Sequence, residues 1–161
     1  MTDDAVVFAL VPLASLKAHE AVVPGKVRHL VAELRRTGVF QDPIWVARGS
    51  GVILNGHHRA AALKRLGAER VPAWVIDYDA GIVRLDRWTP GPPIAKDEVV
   101  RRGERGELFP PQTTRHALAV SLPARPTPLA DLLPSAAAPR RSTQARRAGS
   151  ARSRAGSAPP G

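Results

Sequence analysis

A short apolar run, Val52-Ile53-Leu54, passes without a spacer into Asn55-Gly56-His57-His58-Arg59, and the strong helix formers Ala60 to Leu66 follow before Gly67. Val71 to Ile76 is then a second β-type run. Apolar and β-branched residues at these lengths favour strands, while an Ala- and Leu-rich stretch closed by Gly favours a helix. The order strand, tight turn, helix, strand commits the chain to a mixed α and β architecture. It also prepares a chemistry. A helix that begins directly after a strand leaves its first N–H groups unpaired and the positive end of its dipole at the strand's C-terminal edge, which suits an anion. Asn55 is the expected cap, Gly56 allows close backbone approach, and His57, His58 and Arg59 add donors. A phosphate is the natural guest for such a set. Adjacent histidines do not share a helix face as an i, i+4 pair would, so no metal site is expected there.

The flanking segments extend the same pattern. Ala5 to Leu13 reads as a strand with Pro12 near its end. Pro24 suits the first position of a helix, because Val27, Leu30, Val31 and Leu34 follow at helical spacing and Gly38 supplies a stop. Pro43 to Ala47 and Val52 to Leu54, separated by Arg48-Gly49-Ser50-Gly51, suit a hairpin. Further on, Ile82 to Trp88 reads as extended, Lys96 to Arg105 as a short surface helix, and Phe109 to His116 as a turn-rich segment with polar side chains.

Charge divides the chain. Up to Leu122 there are 17 Lys and Arg against 13 Asp and Glu, a net of +4, and after it 7 against 1, a net of +6. The last 39 residues hold no aromatic residue and no Ile, Val or Met. So little apolar surface does not offset the entropy of ordering, and the expectation is a domain over 1–120 followed by a disordered Ala-, Arg- and Pro-rich tail over 121–161. The high pI of about 11.4 is then mostly a property of the tail, where arginines could give non-specific, salt-sensitive contact with DNA. The absence of cysteine excludes disulfides, thiolate metal sites and cysteine nucleophiles. The acidic start and the Pro12 interruption of the first apolar run argue against a signal peptide or membrane span, so a cytoplasmic protein is expected.

Several motifs in one order resemble the ParB/sulfiredoxin superfamily, and within it the free L-serine kinase group. They are Leu16-Lys17-Ala18-His19-Glu20, Gly38 to Ile44, Val52 to Arg59 followed by Ala60-Ala61-Ala62-Leu63-Lys64, Trp88, and Phe109-Pro110-Pro111-Gln112-Thr113-Thr114-Arg115-His116. The resemblance implies a small mixed sheet with flanking helices, an α+β fold. It implies phosphoryl transfer from ATP or ADP, with Mg2+, to the hydroxyl of free L-serine, giving O-phospho-L-serine. Glu20 would be the general base, with Asn55 at the catalytic turn in place of the group's Asp. Gly56, His57, His58 and Arg59 would bind the nucleotide phosphates. Trp88, Thr113, Thr114, Arg115 and His116 would hold the amino acid, and Gln112 stands where the group has Lys. Sulfiredoxin chemistry is excluded, because its reactive cysteine would fall at His57. A non-catalytic, ParB-like nucleotide-binding regulator with a DNA-contacting tail is the alternative.

Overall fold

The structure is a computed structural model that describes residues 5–134. In chain order its elements are β1 (Val6–Pro12), α1 (Pro24–Thr37), β2 (Val39–Phe40), β3 (Ile44–Ala47), β4 (Ile53–Asn55), α2 (His57–Arg65), β5 (Arg70–Ile76), β6 (Val83–Arg87), α3 (Lys96–Arg105), β7 (Thr114–Leu118) and β8 (Thr127–Pro128). The expected α+β class, a small mixed sheet with flanking helices, is what these elements form. The sheet runs β1-β5-β3-β4. β1 is antiparallel to β5, β3 is parallel to β5, and β3 with β4 makes the hairpin expected across residues 48–51.

Alternation along the strands splits the interior in two. Ile44, Val46, Ile53, Val71 and Ala73 face one way and pack against Val27, Val31 and Leu34 of α1 and Leu63 of α2. Ala47, Leu54, Trp74 and Ile76 face the other way and pack with Tyr78, Val83 and Val99 of α3. Burying side chains of this size contributes roughly 1.5–3 kcal/mol each. The ends of α1 follow the sequence signals: Pro24 opens it, and Gly38, at φ 70°, closes it with its N–H on the Leu34 carbonyl at 2.8 Å.

β6 and β7 form a separate antiparallel ribbon in which Leu85 lies opposite His116 and Arg87 opposite Thr114. Phe109, just before β7, donates its N–H to the His19 carbonyl at 2.8 Å and accepts the Ala21 N–H at 2.8 Å. The segment around Glu20 is thereby tied to the segment that leads into Thr114.

The ordered fold runs past the expected boundary at residue 120. β8 pairs with β2, Leu129 donates to the Gly38 carbonyl at 2.8 Å, and Leu132 is fully buried in the α1–α2 core. Arg125 lays its guanidinium over Phe8 at 4.4 Å and Trp74 at 5.4 Å. Average composition hid this, because one or two well-placed leucines and one cation over aromatic faces anchor a stretch that is otherwise poor in apolar residues. The remainder of the expected tail, 135–161, lies outside the described residues. Among the described residues no helix is long and apolar enough to cross a membrane.

Candidate active site

A cleft of about 600 Å³ opens where the start of α2, the Glu20 segment, the first turn of α1 and β7 meet. Its floor is the turn from β4 into α2. Gly56 takes a left-handed conformation, φ 107°, and an added Cβ would come within 2.5 Å of Ile44 Cγ2. Only glycine fits there. This also corrects the expected cap: Gly56 itself precedes the first helical residue, Asn55 is the exposed last residue of β4, and no side chain caps α2. The first N–H groups of α2 are therefore left for a ligand or water.

Glu20 is only 8% exposed yet lines this cleft. Its Oε2 accepts the Thr114 N–H at 2.6 Å and the Thr114 hydroxyl, and its Oε1 accepts the Gln112 N–H at 3.2 Å. Gln112 is the one left-handed non-glycine residue among those described, φ 57°, so strained backbone helps bring donors to the carboxylate. Three donors offset the desolvation that would otherwise make a buried carboxylate costly. A carboxylate oxygen accepts about two hydrogen bonds, so Oε2 is filled and Oε1 keeps one acceptor position.

Behind Glu20 lies a group of neutral imidazoles. Thr114 gives its hydroxyl hydrogen to Glu20, so its oxygen accepts from His19 Nε2–H at 2.8 Å. Burial holds the pKa of His19 below its ordinary value of 6.5, against the opposing pull of Glu20. His57 Nε2 accepts the His19 backbone N–H at 3.2 Å, and His58 Nε2 accepts the Val23 N–H at 3.0 Å. Burial, reinforced by His19 and His116, pushes His57 well below the ordinary value, and burial with Lys26 lowers His58. His116 Nε2 lies 2.7 Å from the Tyr78 hydroxyl, and burial followed by His19 brings its pKa down to about 3. The His19 ring centroid is 4.6 Å from that of His57 and 5.9 Å from that of His116. Rings this close stay neutral together, since protonating one penalises the next.

On the remaining wall, Arg59 donates from Nη2 to the Pro43 carbonyl at 3.2 Å while its buried Nε has no partner. Trp88 is 59% exposed, with the Arg115 guanidinium 4.9 Å from its ring centre.

No family model matches the chain. It is 40% identical over 85 residues to an ATP-dependent L-serine kinase of Staphylothermus marinus, covering 50% of this chain and 34% of that protein. It is 32% identical over 99 residues to the ADP-dependent L-serine kinase SerK of Thermococcus kodakarensis, covering 59% and 41%. The chain thus spans about a third to two fifths of the length of these curated relatives. A solved free serine kinase in complex with AMP superposes with a TM-score of 0.71 at 19% identity, covering 80% of this chain and 94% of that one. The chain has the free serine kinase fold.

On that fold most of the expected residues converge. Glu20, Asn55, Gly56, His57, His58, Arg59, Trp88, Thr114, Arg115 and His116 all line the one cleft. Thr113 does not line it: its hydroxyl donates to the Pro110 carbonyl at 2.7 Å and its carbonyl accepts the Trp88 N–H at 3.1 Å, so it shapes the turn instead. Lys26, His29 and Leu30 of α1 also line the cleft. Their sequence read only as one turn of an amphipathic helix, and no spacing marks which exposed side of a helix borders a cavity. Tyr78 was missed as well; a lone Tyr after a strand carries no signal of a histidine partner 38 positions later.

Proposed function

We propose that the chain is a phosphotransferase acting on free L-serine, with ATP or ADP as donor and O-phospho-L-serine as product. The observation that carries this reading is Glu20, a carboxylate fixed by Thr114 and Gln112 on the wall of a cleft whose floor is the uncapped start of α2. Phosphoryl transfer needs positioning and charge neutralisation more than covalent help. In this assignment the N–H groups from Gly56 to Arg59 and the Arg59 guanidinium hold the nucleotide phosphates. Glu20 Oε1 takes the proton of the serine hydroxyl as the Oγ–P bond forms and the bond from phosphorus to the leaving nucleotide oxygen breaks. Trp88, Arg115 and His116 form the amino-acid side, with the guanidinium suited to the serine carboxylate.

Magnesium enters this reading only as the ion that accompanies the nucleotide phosphates. Among the described residues no group of three or more His, Asp or Glu is arranged to hold a metal, and the cleft offers one hydrogen-bonded carboxylate, Asn55 and neutral imidazoles. That is a poor octahedral oxygen cage, and no step here depends on a resident metal. A cytoplasmic setting, where the nucleotide is found, completes the proposal. Incubating the protein with magnesium, L-serine and either ATP or ADP should give a phosphoserine resonance in the phosphorus NMR spectrum; no product from either nucleotide would overturn the proposal.

A further inference from the structure

We propose that His57 and His58 are positioning residues for Glu20, each committing its Nε2 lone pair to a backbone N–H of the loop 19–23, rather than phosphate donors through Nε2. The inference rests on the reading of Glu20 as the group that meets the substrate.

The two accepted bonds, His19 N–H to His57 and Val23 N–H to His58, lie on either side of Glu20. Phe109 holds the same loop from its other side through the His19 carbonyl and the Ala21 N–H. The backbone around the carboxylate is thus pinned to β7's approach on one side and to the start of α2 on the other. Val23 is the residue before α1, so the His58 bond also fixes where α1 begins. The histidines themselves have little freedom to shift, because Gly56 sits against Ile44 with no room for a Cβ. Without the imidazoles, two N–H groups of the loop would lose their partners, a cost the loop would relieve by moving.

A neutral imidazole whose Nε2 accepts carries its proton on Nδ1. Nε2 has nothing to give a phosphate unless the loop is first released. An anion at the start of α2 and the carboxylate of Glu20 therefore belong to one rigid unit, and the two adjacent histidines are the coupling between them.

The test uses the full chain labelled with 15N. Long-range proton–nitrogen correlation at neutral pH should place the proton on Nδ1 in both His57 and His58; an Nε2–H tautomer or a doubly protonated ring at either would overturn the proposal for that residue. His58→Leu should raise amide exchange at Val23 by about tenfold or more and lower the rate of serine phosphorylation by a similar factor, with ADP affinity within about threefold of wild type. His58→Gln, whose amide oxygen reaches about as far as Nε2, should restore both. A large loss of ADP affinity in His58→Leu that His58→Gln fails to restore would make His58 a phosphate ligand instead. Should His58→Leu not fold, the wild-type tautomers and the Gln variant still decide. Absence of phosphoserine from the wild type would overturn the kinase reading alone, since tautomers and exchange are read without turnover.

Discussion

Glu20 carries two burdens that substitutions separate. As an anion it satisfies the N–H groups of Gln112 and Thr114, and as a base it faces the cleft. Glu20→Gln keeps the shape but replaces one oxygen by an NH2 that must face a donor or turn away from it. Glu20→Ala leaves both N–H groups and the hydrogen of the Thr114 hydroxyl without an acceptor. Each change should lower the serine phosphorylation rate by about 10²- to 10⁴-fold, the usual worth of a positioned base. Glu20→Ala should in addition cost about 1–3 kcal/mol in denaturant unfolding. A variant that keeps full turnover would remove Glu20 from the chemistry, and a rate loss with unchanged unfolding in Glu20→Ala would mean that the three donors find other partners. The His19-Glu20 pair was legible as a candidate, but its partners were not, because Gln112 and Thr114 are more than 90 positions away.

The turn between β4 and α2 shows which features of an element are readable in advance. Pro24, Gly38 and Gly67 marked helix ends because their backbone constraints are local. Asn55 misled for the same reason: Asn at a strand end is a good cap by type, but the left-handed Gly56 moves the cap position by one. Sheet order and the pairing of β2 with β8 depend on distant contacts and carried no local signal. Gly56→Ala should therefore lower unfolding stability by about 2 kcal/mol or more, from a left-handed alanine and the collision with Ile44. Gly67→Ala is the control, since φ is 83° there but nothing lies within 4 Å, and its cost should be nearer 1 kcal/mol. Equal losses would mean that Ile44 yields. The imidazole group makes a second prediction at this scale. His19, His57 and His116 have folded pKa values below the ordinary 6.5, so the unfolded chain binds protons first as pH falls. Their contribution to stability is complete above about pH 6.5 and is lost as pH falls from there, down to about 3 for His116. Each adds a slope of roughly 1.4 kcal/mol per pH unit inside its window. Denaturant unfolding should therefore weaken by about 2 kcal/mol or more between pH 7.5 and pH 5.5, and a flat profile would contradict neutral, buried rings.

For the whole molecule, the decisive residues lie beyond the composition break. Leu132 fills the core between α1 and α2, the Leu132 carbonyl accepts the Glu69 N–H at 2.8 Å, and β8 closes over β2. A chain ending at residue 120 gives up all three together with the Arg125 contacts on Phe8 and Trp74. Losing one fully buried leucine alone costs about 2–5 kcal/mol, a large part of the total stability of a domain this size. A chain ending at residue 134 keeps every one of these contacts. Denaturant midpoints should therefore agree between the full chain and the 134-residue chain, and fall sharply for the 120-residue chain. Equal midpoints for all three would mean that the segment 121–134 contributes nothing to the core. The same pair of end points decides how the basic tail must be tested. Six of the arginines lie after residue 134, and their contact with DNA phosphates would be sequence-independent and steeply weakened by salt. Binding measured at two salt concentrations should drop in the 134-residue chain if those arginines contact DNA. Equal binding by the full and 134-residue chains would remove the tail from any DNA role, whereas a loss seen only on cutting to 120 would report an unfolded domain.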